Sequence, residues 1–199
     1  IAFICHDDEW LPNKLEVCVP YIENNYPQYK FFFHHIEVIG DKKYILPFKN
    51  INPKVGNYYK KFLSNWNEEI QTSAIIVNKE CFDNCGCYDN DFKNVFDWEL
   101  YIRIAEKYDF YFIPDKLSKY YYSEIGITHF TNPRNINGAK EIILFLKKYK
   151  NKINKETKLK WCFRLNSFSS IYKKQKKYSL MIKFLSTSIK LLPFNFINL

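Results

Sequence analysis

The sequence is poor in the residues that loosen a chain: it has 5 Gly and 1 Met in 199 residues, and few Ala. With 47% apolar residues it is an ordinary globular composition, which excludes collagen-like and disordered architectures. No window of 18 residues is free of charge, so an integral membrane span is excluded. Neither an internal repeat nor a low-complexity linker is present. The six cysteines lack paired C-x-x-C spacing; Cys81, Cys85 and Cys87 are separated by three residues and one, and no histidine lies near them in sequence. Structural zinc is therefore disfavoured, and the cysteines read as small core residues in a reducing cytoplasm. There is no initiator Met and no signal peptide. The opening Ile1-Ala2-Phe3-Ile4-Cys5 reads as a buried strand, so the sequence is expected to be a fragment or a truncated product.

What is present is unevenly placed. The chain carries 30 Lys+Arg against 21 Asp+Glu, a net charge of +9. Residues 1–139 hold 15 basic and 19 acidic side chains, whereas residues 140–199 hold 15 basic and 2 acidic. The step predicts two regions, with a boundary near residue 139. The 19% of aromatics reflects an Asn/Lys/Ile/Tyr/Phe-heavy vocabulary, as AT-rich coding gives, and implies no function.

After the opening strand, Cys5-His6-Asp7-Asp8-Glu9-Trp10 reads as an acidic turn. Pro12 opens a helix with Leu15, Val19 and Ile22 on one face, which Pro20 should kink or shorten. Phe31 to Ile39 is a predicted strand, Gly40-Asp41 a turn, and Tyr44 to Leu46 a hairpin partner. Asn57 to Asn65 suggests a short helix, and Ser73 to Val77 a buried strand followed by a helical turn from Lys79 and then Gly86. Trp98, Tyr101, Ile102, Ala105 and Tyr108 form one helical stripe, with Asp97 placed as its N-cap. Phe110 to Ile113 and Leu117 to Tyr122 read as two short strands around Pro114-Asp115. Three stripes then follow in the tail: Ile142, Phe145, Leu146, Tyr149; Trp161, Leu165, Phe168, Tyr172; and Tyr178, Met181, Ile182, Leu185, Ile189, Leu192. The fold class is thus α/β with an all-helical, basic, amphipathic appendage.

Two acidic places carry candidate chemistry. Carboxylates just past the C-terminal end of a strand lie where open α/β sheets bind ligands. Neighbouring carboxylates favour a divalent cation, and a hard ion such as Mg²⁺ or Mn²⁺ is held by one or two of them plus substrate phosphates. The bland alternative for Asp7-Asp8-Glu9 is a solvated turn capping the next helix. Asp97 is similarly open: an N-cap worth about 1 kcal/mol, or a general base sheltered by Phe96 and Trp98.

Together, Ile1-Ala-Phe-Ile-Cys-His-Asp-Asp-Glu-Trp-Leu-Pro-Asn-Lys-Leu-Glu16, Gln71-Thr-Ser-Ala-Ile-Ile-Val-Asn-Lys-Glu-Cys-Phe82, Gly86 to Asp89 and Phe96-Asp-Trp-Glu-Leu-Tyr-Ile-Arg-Ile-Ala105 resemble family 2 glycosyltransferases. Their fold is the GT-A, nucleotide-diphospho-sugar transferase type. The order and spacing of the four segments agree over about residues 1–130. The resemblance implies that Asp7 binds the cation (Mg²⁺ or Mn²⁺) bridging the donor's phosphates, that Asp8 is the acid commonly following it in the substrate site, that Asp97 is the catalytic base, and that Trp98 is the aromatic beside the acceptor. The implied reaction is inverting transfer from a nucleotide-diphospho-sugar to a glycan or lipid-linked acceptor in cell-surface polysaccharide synthesis.

The departures are specific. Cys5 stands where the family has the first Asp of its metal motif, and Phe96 where it has a Glu before the base. His129 and Arg134 lie where the family places a donor-phosphate ligand, without a clear match. The family's nucleotide-binding half, about 90 residues before the metal motif, has no counterpart here. Residues 1–139 are therefore expected to be the metal and acceptor side of a GT-A domain, inactive alone in sugar-nucleotide turnover. The rival class is a non-catalytic remnant acting at most as a binding module. For residues 140–199 three readings stand: a nucleic-acid binder, disfavoured because Lys outnumbers Arg 14 to 1 and no motif is present; a solvated helical cap; and a peripheral contact with an anionic membrane, through the 178–192 stripe, its lysines and Pro193-Phe194-Asn195-Phe196. The expected location is the cytoplasm, on the inner face of the membrane.

Overall fold

The structure is a computed structural model that describes residues 1–40, 53–65, 69–121 and 136–192. It is mixed α/β. One compact unit comprises Ile1–Phe62, Trp66–Asp89 and Phe96–Gly126; the other comprises Leu63–Asn65, Asn90–Val95 and Ile127–Leu199. The charge step at residue 139 falls inside the second.

The first unit is organised by a four-stranded mixed sheet in the order β1 (Glu9–Trp10), β4 (Phe110–Tyr121), β2 (Phe31–Ile39), β3 (Ile75–Val77). Strand β2 pairs parallel with β4 and antiparallel with β3, and β1 pairs antiparallel with β4. A parallel pair must be covered on both faces, and three consecutive phenylalanines meet that need. Phe31 stacks on Phe110 at 3.8 Å and meets Tyr101 edge-on at 5.3 Å, while Phe33 meets Tyr58 edge-on at 5.6 Å. On the opposite face Phe32 joins Cys18, Ile113 and Leu117. Each such ring contributes roughly 1.5–3 kcal/mol on burial, which makes β2 the centre of the core.

Helix α1 (Lys14–Asn25) runs through Pro20 and buries a different face from the one its apolar pattern predicts. Leu15 and Val19 are exposed, whereas Lys14 and Cys18 are buried. The cause is local: the Lys14 ammonium donates to the Ser73 carbonyl at 2.8 Å and lies 4.2 Å over the Trp10 ring, so its aliphatic stem is drawn inward. Burial lowers this amine to about 8.

Several further expectations are corrected. Ile1–Cys5 is not a buried strand; it lies along β3 through a single bridge, Ala2 to Ile76, with Ile1 and Ile4 more than half exposed. Ala2, Phe3 and Cys5 are half-buried, Phe3 against the Phe82 ring. Glu9 and Trp10, read as turn, are strand β1, held by Glu9 to Lys119 at 3.1 Å and by the Tyr121 hydroxyl at 2.9 Å. The two short strands around Pro114-Asp115 are one strand, β4. Its register jumps between His34↔Ile113 and His35↔Lys116, so Pro114 and Asp115 bulge out and the missing proline N–H costs no ladder bond. Ser73 and Ala74 lie in a 3₁₀ turn (Thr72–Ala74) ahead of the shorter β3. The Tyr44 to Leu46 hairpin partner, Tyr122, His129, Arg134 and Pro193 to Phe196 lie outside the described residues.

Helices α2 (Tyr59–Ser64), α3 (Lys79–Cys85) and α4 (Phe96–Ala105) complete the body. Asn78 caps α3 by accepting from the Glu80 N–H at 2.9 Å. Gly86 ends it at φ 78°, where a Cβ would come 3.3 Å from the Arg103 guanidinium. In the second unit the described chain from residue 136 is helical: α5 (Ile136–Tyr149), α6 (Lys155–Lys174) and α7 (Tyr178–Leu191). The first two predicted stripes are buried in full. Trp161 donates its indole N–H to the Leu63 carbonyl at 2.8 Å, and Phe168 and Tyr172 pack on Phe184 of α7. Among the described residues no helix is long and apolar enough to cross a membrane.

Candidate functional site

The acidic turn is closed by the Asp8 N–H donating to the Cys5 carbonyl at 3.2 Å. Ser73 holds it in place. Its hydroxyl accepts from the Cys5 N–H at 2.8 Å and donates in a short bond to Asp8 Oδ2, and its carbonyl is gripped by Lys14 and by the Ser118 hydroxyl at 2.9 Å. Ser73 is thus a positioning residue for the turn, built on the 3₁₀ turn that leads into β3. A hydroxyl pair, Thr72-Ser73, opening an otherwise apolar strand was the signal in the sequence, and it was not read as part of the site. Ser73→Ala is expected to cost about 1–3 kcal/mol, because two polar partners lose their bond together. A urea midpoint unchanged from the parent chain would refute that role.

Asp7 and Asp8 differ sharply. The Asp7 side chain is 54% exposed and faces His6 at 3.7 Å. Asp8 is half-buried, and its Oδ1 accepts no hydrogen bond of ordinary geometry among the described residues. Burial raises the Asp8 carboxyl, Ser73 and the Tyr121 amide pull it back, and Asp7 raises it further. A half-buried carboxylate beside an exposed one suits a hard cation completed by phosphate oxygens. Among the described residues no group of three His, Cys, Asp or Glu side chains is placed to hold a metal. All six cysteines are free thiols. Cys5 adds no hard ligand: burial raises its thiol, as do the charges of Asp8, Asp7 and Asp97, against the pull of Ser73, so it stays protonated.

Asp97 approaches from α4. The helix starts at Phe96, so Asp97 lies in its first turn and is not the N-cap; its Oδ1 still accepts the Trp98 N–H at 2.7 Å. Asp97 keeps part of its surface open to solvent, but desolvation dominates its carboxyl and raises it to about 6, against the lowering by the Trp98 amide and its own. Trp98 is 2% exposed and donates its indole N–H to the Phe62 carbonyl at 3.1 Å, so it supports the helix from behind.

The structure brings the two acidic segments within electrostatic reach of each other, since the charges of Asp7, Asp8 and Asp97 all act on the Cys5 thiol. Two tyrosines feel the Asp97 charge, Tyr88 at the surface and Tyr101 buried in the core. Tyr88 meets Phe96 edge-on at 5.1 Å, and its phenol is raised to about 12 by burial, then by Asp97, Cys5 and Cys87. Tyr101 is raised well above its ordinary value by burial and by Asp97. The result is a partly open, desolvated base, one exposed and one half-buried carboxylate, and Tyr88 with Phe96 beside them. No family model matches the chain, and no curated protein matches it.

Proposed function

We propose that residues 1–121 form the metal and acceptor side of a GT-A glycosyltransferase domain. The reaction is inverting transfer of a sugar from a nucleotide-diphospho-sugar to a hydroxyl of a glycan or lipid-linked acceptor. The observation that carries this reading is the convergence of Asp7, Asp8 and Asp97 around Cys5, segments some 90 residues apart in the chain. Asp97, raised to about 6, is ionised at neutral pH yet basic enough to take a proton. It accepts the proton of the acceptor hydroxyl, whose oxygen bonds to the anomeric carbon as the bond from that carbon to the donor phosphate breaks. Tyr88 and Phe96 give the acceptor ring an apolar wall. Asp7 and Asp8 Oδ1 would hold Mg²⁺ or Mn²⁺, which when bound offsets the charge of the departing nucleoside diphosphate.

The rival reading, a non-catalytic remnant that at most binds, is favoured by one observation: Cys5 occupies the turn as a protonated thiol and supplies no hard ligand. The two are separated by assaying the protein against a panel of nucleotide-diphospho-sugars. Transfer predicts nucleoside diphosphate release that a chelator abolishes and Mn²⁺ restores. Metal-dependent nucleotide binding with no release from any donor supports the remnant.

A further inference from the structure

Helix α7 carries an apolar line that, among the described residues, the second unit leaves exposed. Phe184 and Ser188 face inward, fully buried, against α6. Tyr178, Ile182, Leu185 and Ile189, at i, i+4, i+7 and i+11, are 56%, 59%, 39% and 52% exposed. Four large apolar side chains in one helical line, about a third of a turn from the packed face, are an unpartnered stripe. Lys183 and Lys190 lie on the far side of that stripe, and Lys173, Lys174, Lys176 and Lys177 crowd the turn before the helix. The charge around it is of one sign. Of the two acids beyond residue 139, Glu141 is consumed by the Asn94 amide and side chain and the Val95 N–H, and Glu156 by Lys160 at 2.8 Å.

We infer that α7 seats the chain on an anionic lipid surface, with Tyr178, Ile182, Leu185 and Ile189 in the headgroup–acyl boundary and the lysines on the phosphates. The chemistry separates this occupant from others. A nucleic acid has no use for the apolar line. A protein partner would have to supply a groove rimmed with acids to take this ridge with its lysines, whereas an anionic bilayer interface meets both the apolar line and the positive charge. Lysine stems long enough to snorkel suit lipid phosphates, and Lys is the cation this region uses almost exclusively. This inference stands apart from the transferase reading: α7 binds lipid whether or not Asp97 is a base.

The test is co-sedimentation of the whole chain with vesicles of phosphatidylglycerol and phosphatidylcholine in varied ratio. Binding is expected to rise about tenfold or more from pure phosphatidylcholine to an anionic mixture, and to fall severalfold between low and high salt. Ile182→Asn with Ile189→Asn removes apolar surface without changing charge, and both sites are exposed, so circular dichroism should show an intact fold. That variant is expected to lose about tenfold or more of the anionic binding. No binding to anionic vesicles at low salt overturns the inference. So does binding that the double variant leaves unchanged, since charge alone would then carry it. A dimer in sedimentation velocity that the double variant dissolves overturns it too, because a second copy would be the occupant.

Discussion

Replacing Asp97 by Asn is expected to abolish the proposed transfer and, in the same step, to stabilise the protein. The side chain keeps its shape and its acceptance of the Trp98 N–H, but it no longer takes a proton, and loss of a general base costs about 10²–10⁴-fold in rate. The stability gain follows from the raised carboxyl. Between the ordinary value of 3.8 and about 6 the folded chain holds a proton that the unfolded chain has released. The wild-type chain therefore loses stability as pH rises through that window and stays lower above it. A shift of roughly two units corresponds to at most about 3 kcal/mol, and the Asn variant, which cannot ionise, escapes it. Urea denaturation from pH 4 to 8 should show a wild-type curve falling toward neutrality and a variant curve lacking this component. Turnover unchanged in the Asn variant removes Asp97 from the chemistry. Matching pH curves remove the buried-carboxylate account, whichever way the activity goes.

Helices α5 and α6 were readable from the sequence because each buries the face that its own apolar spacing marks, and strand β2 because its unbroken apolar run is buried on both faces. Helix α1 was not, because the side chain that decides its inward face is a lysine, and periodicity counts Lys14 as polar while Trp10 and the Ser73 carbonyl treat it as core. The third tail stripe was legible as a helix, but which residues pack was not. Tyr178, Ile182, Leu185 and Ile189 are apolar and regular, yet the residues that pack are Phe184 and Ser188, one of them polar. Strand β1 spans two residues, too few for any period, and exists through its partners on β4. In the site, the acids stand out by charge alone. Ser73, Tyr88 and Tyr101 become visible only when the chain brings residues 5, 73, 88 and 97 together, and no local pattern encodes that distance.

Arg103→Ala should produce the largest loss of stability in the body, about 3–5 kcal/mol, because it takes the guanidinium away from a buried carboxylate. Glu99 has 0% of its side chain exposed, and the Arg103 guanidinium grips it through Nε at 3.0 and 3.1 Å and Nη2 at 2.9 Å. The same fork donates to the carbonyls of Cys85, Gly86 (3.1 Å) and Cys87 (2.6 Å), the loop that leads into Tyr88. Two effects are therefore joined in one side chain: a compensated charge under α4, and a tether on the aromatic wall of the site. Substitutions separate them. Arg103→Lys keeps a cation near Glu99 but not the planar fork, so it should recover part of the stability without fixing the loop. Glu99→Gln combined with Arg103→Met removes both charges and should approach wild-type stability in urea, since a buried pair replaced by uncharged groups of similar volume is often neutral. In that double variant the amides of residues 85–88 should still exchange with deuterium faster than in the wild type, because their carbonyl clamp is gone. If exchange there is unchanged while stability recovers, the guanidinium serves Glu99 alone, and Tyr88 is held by Phe96.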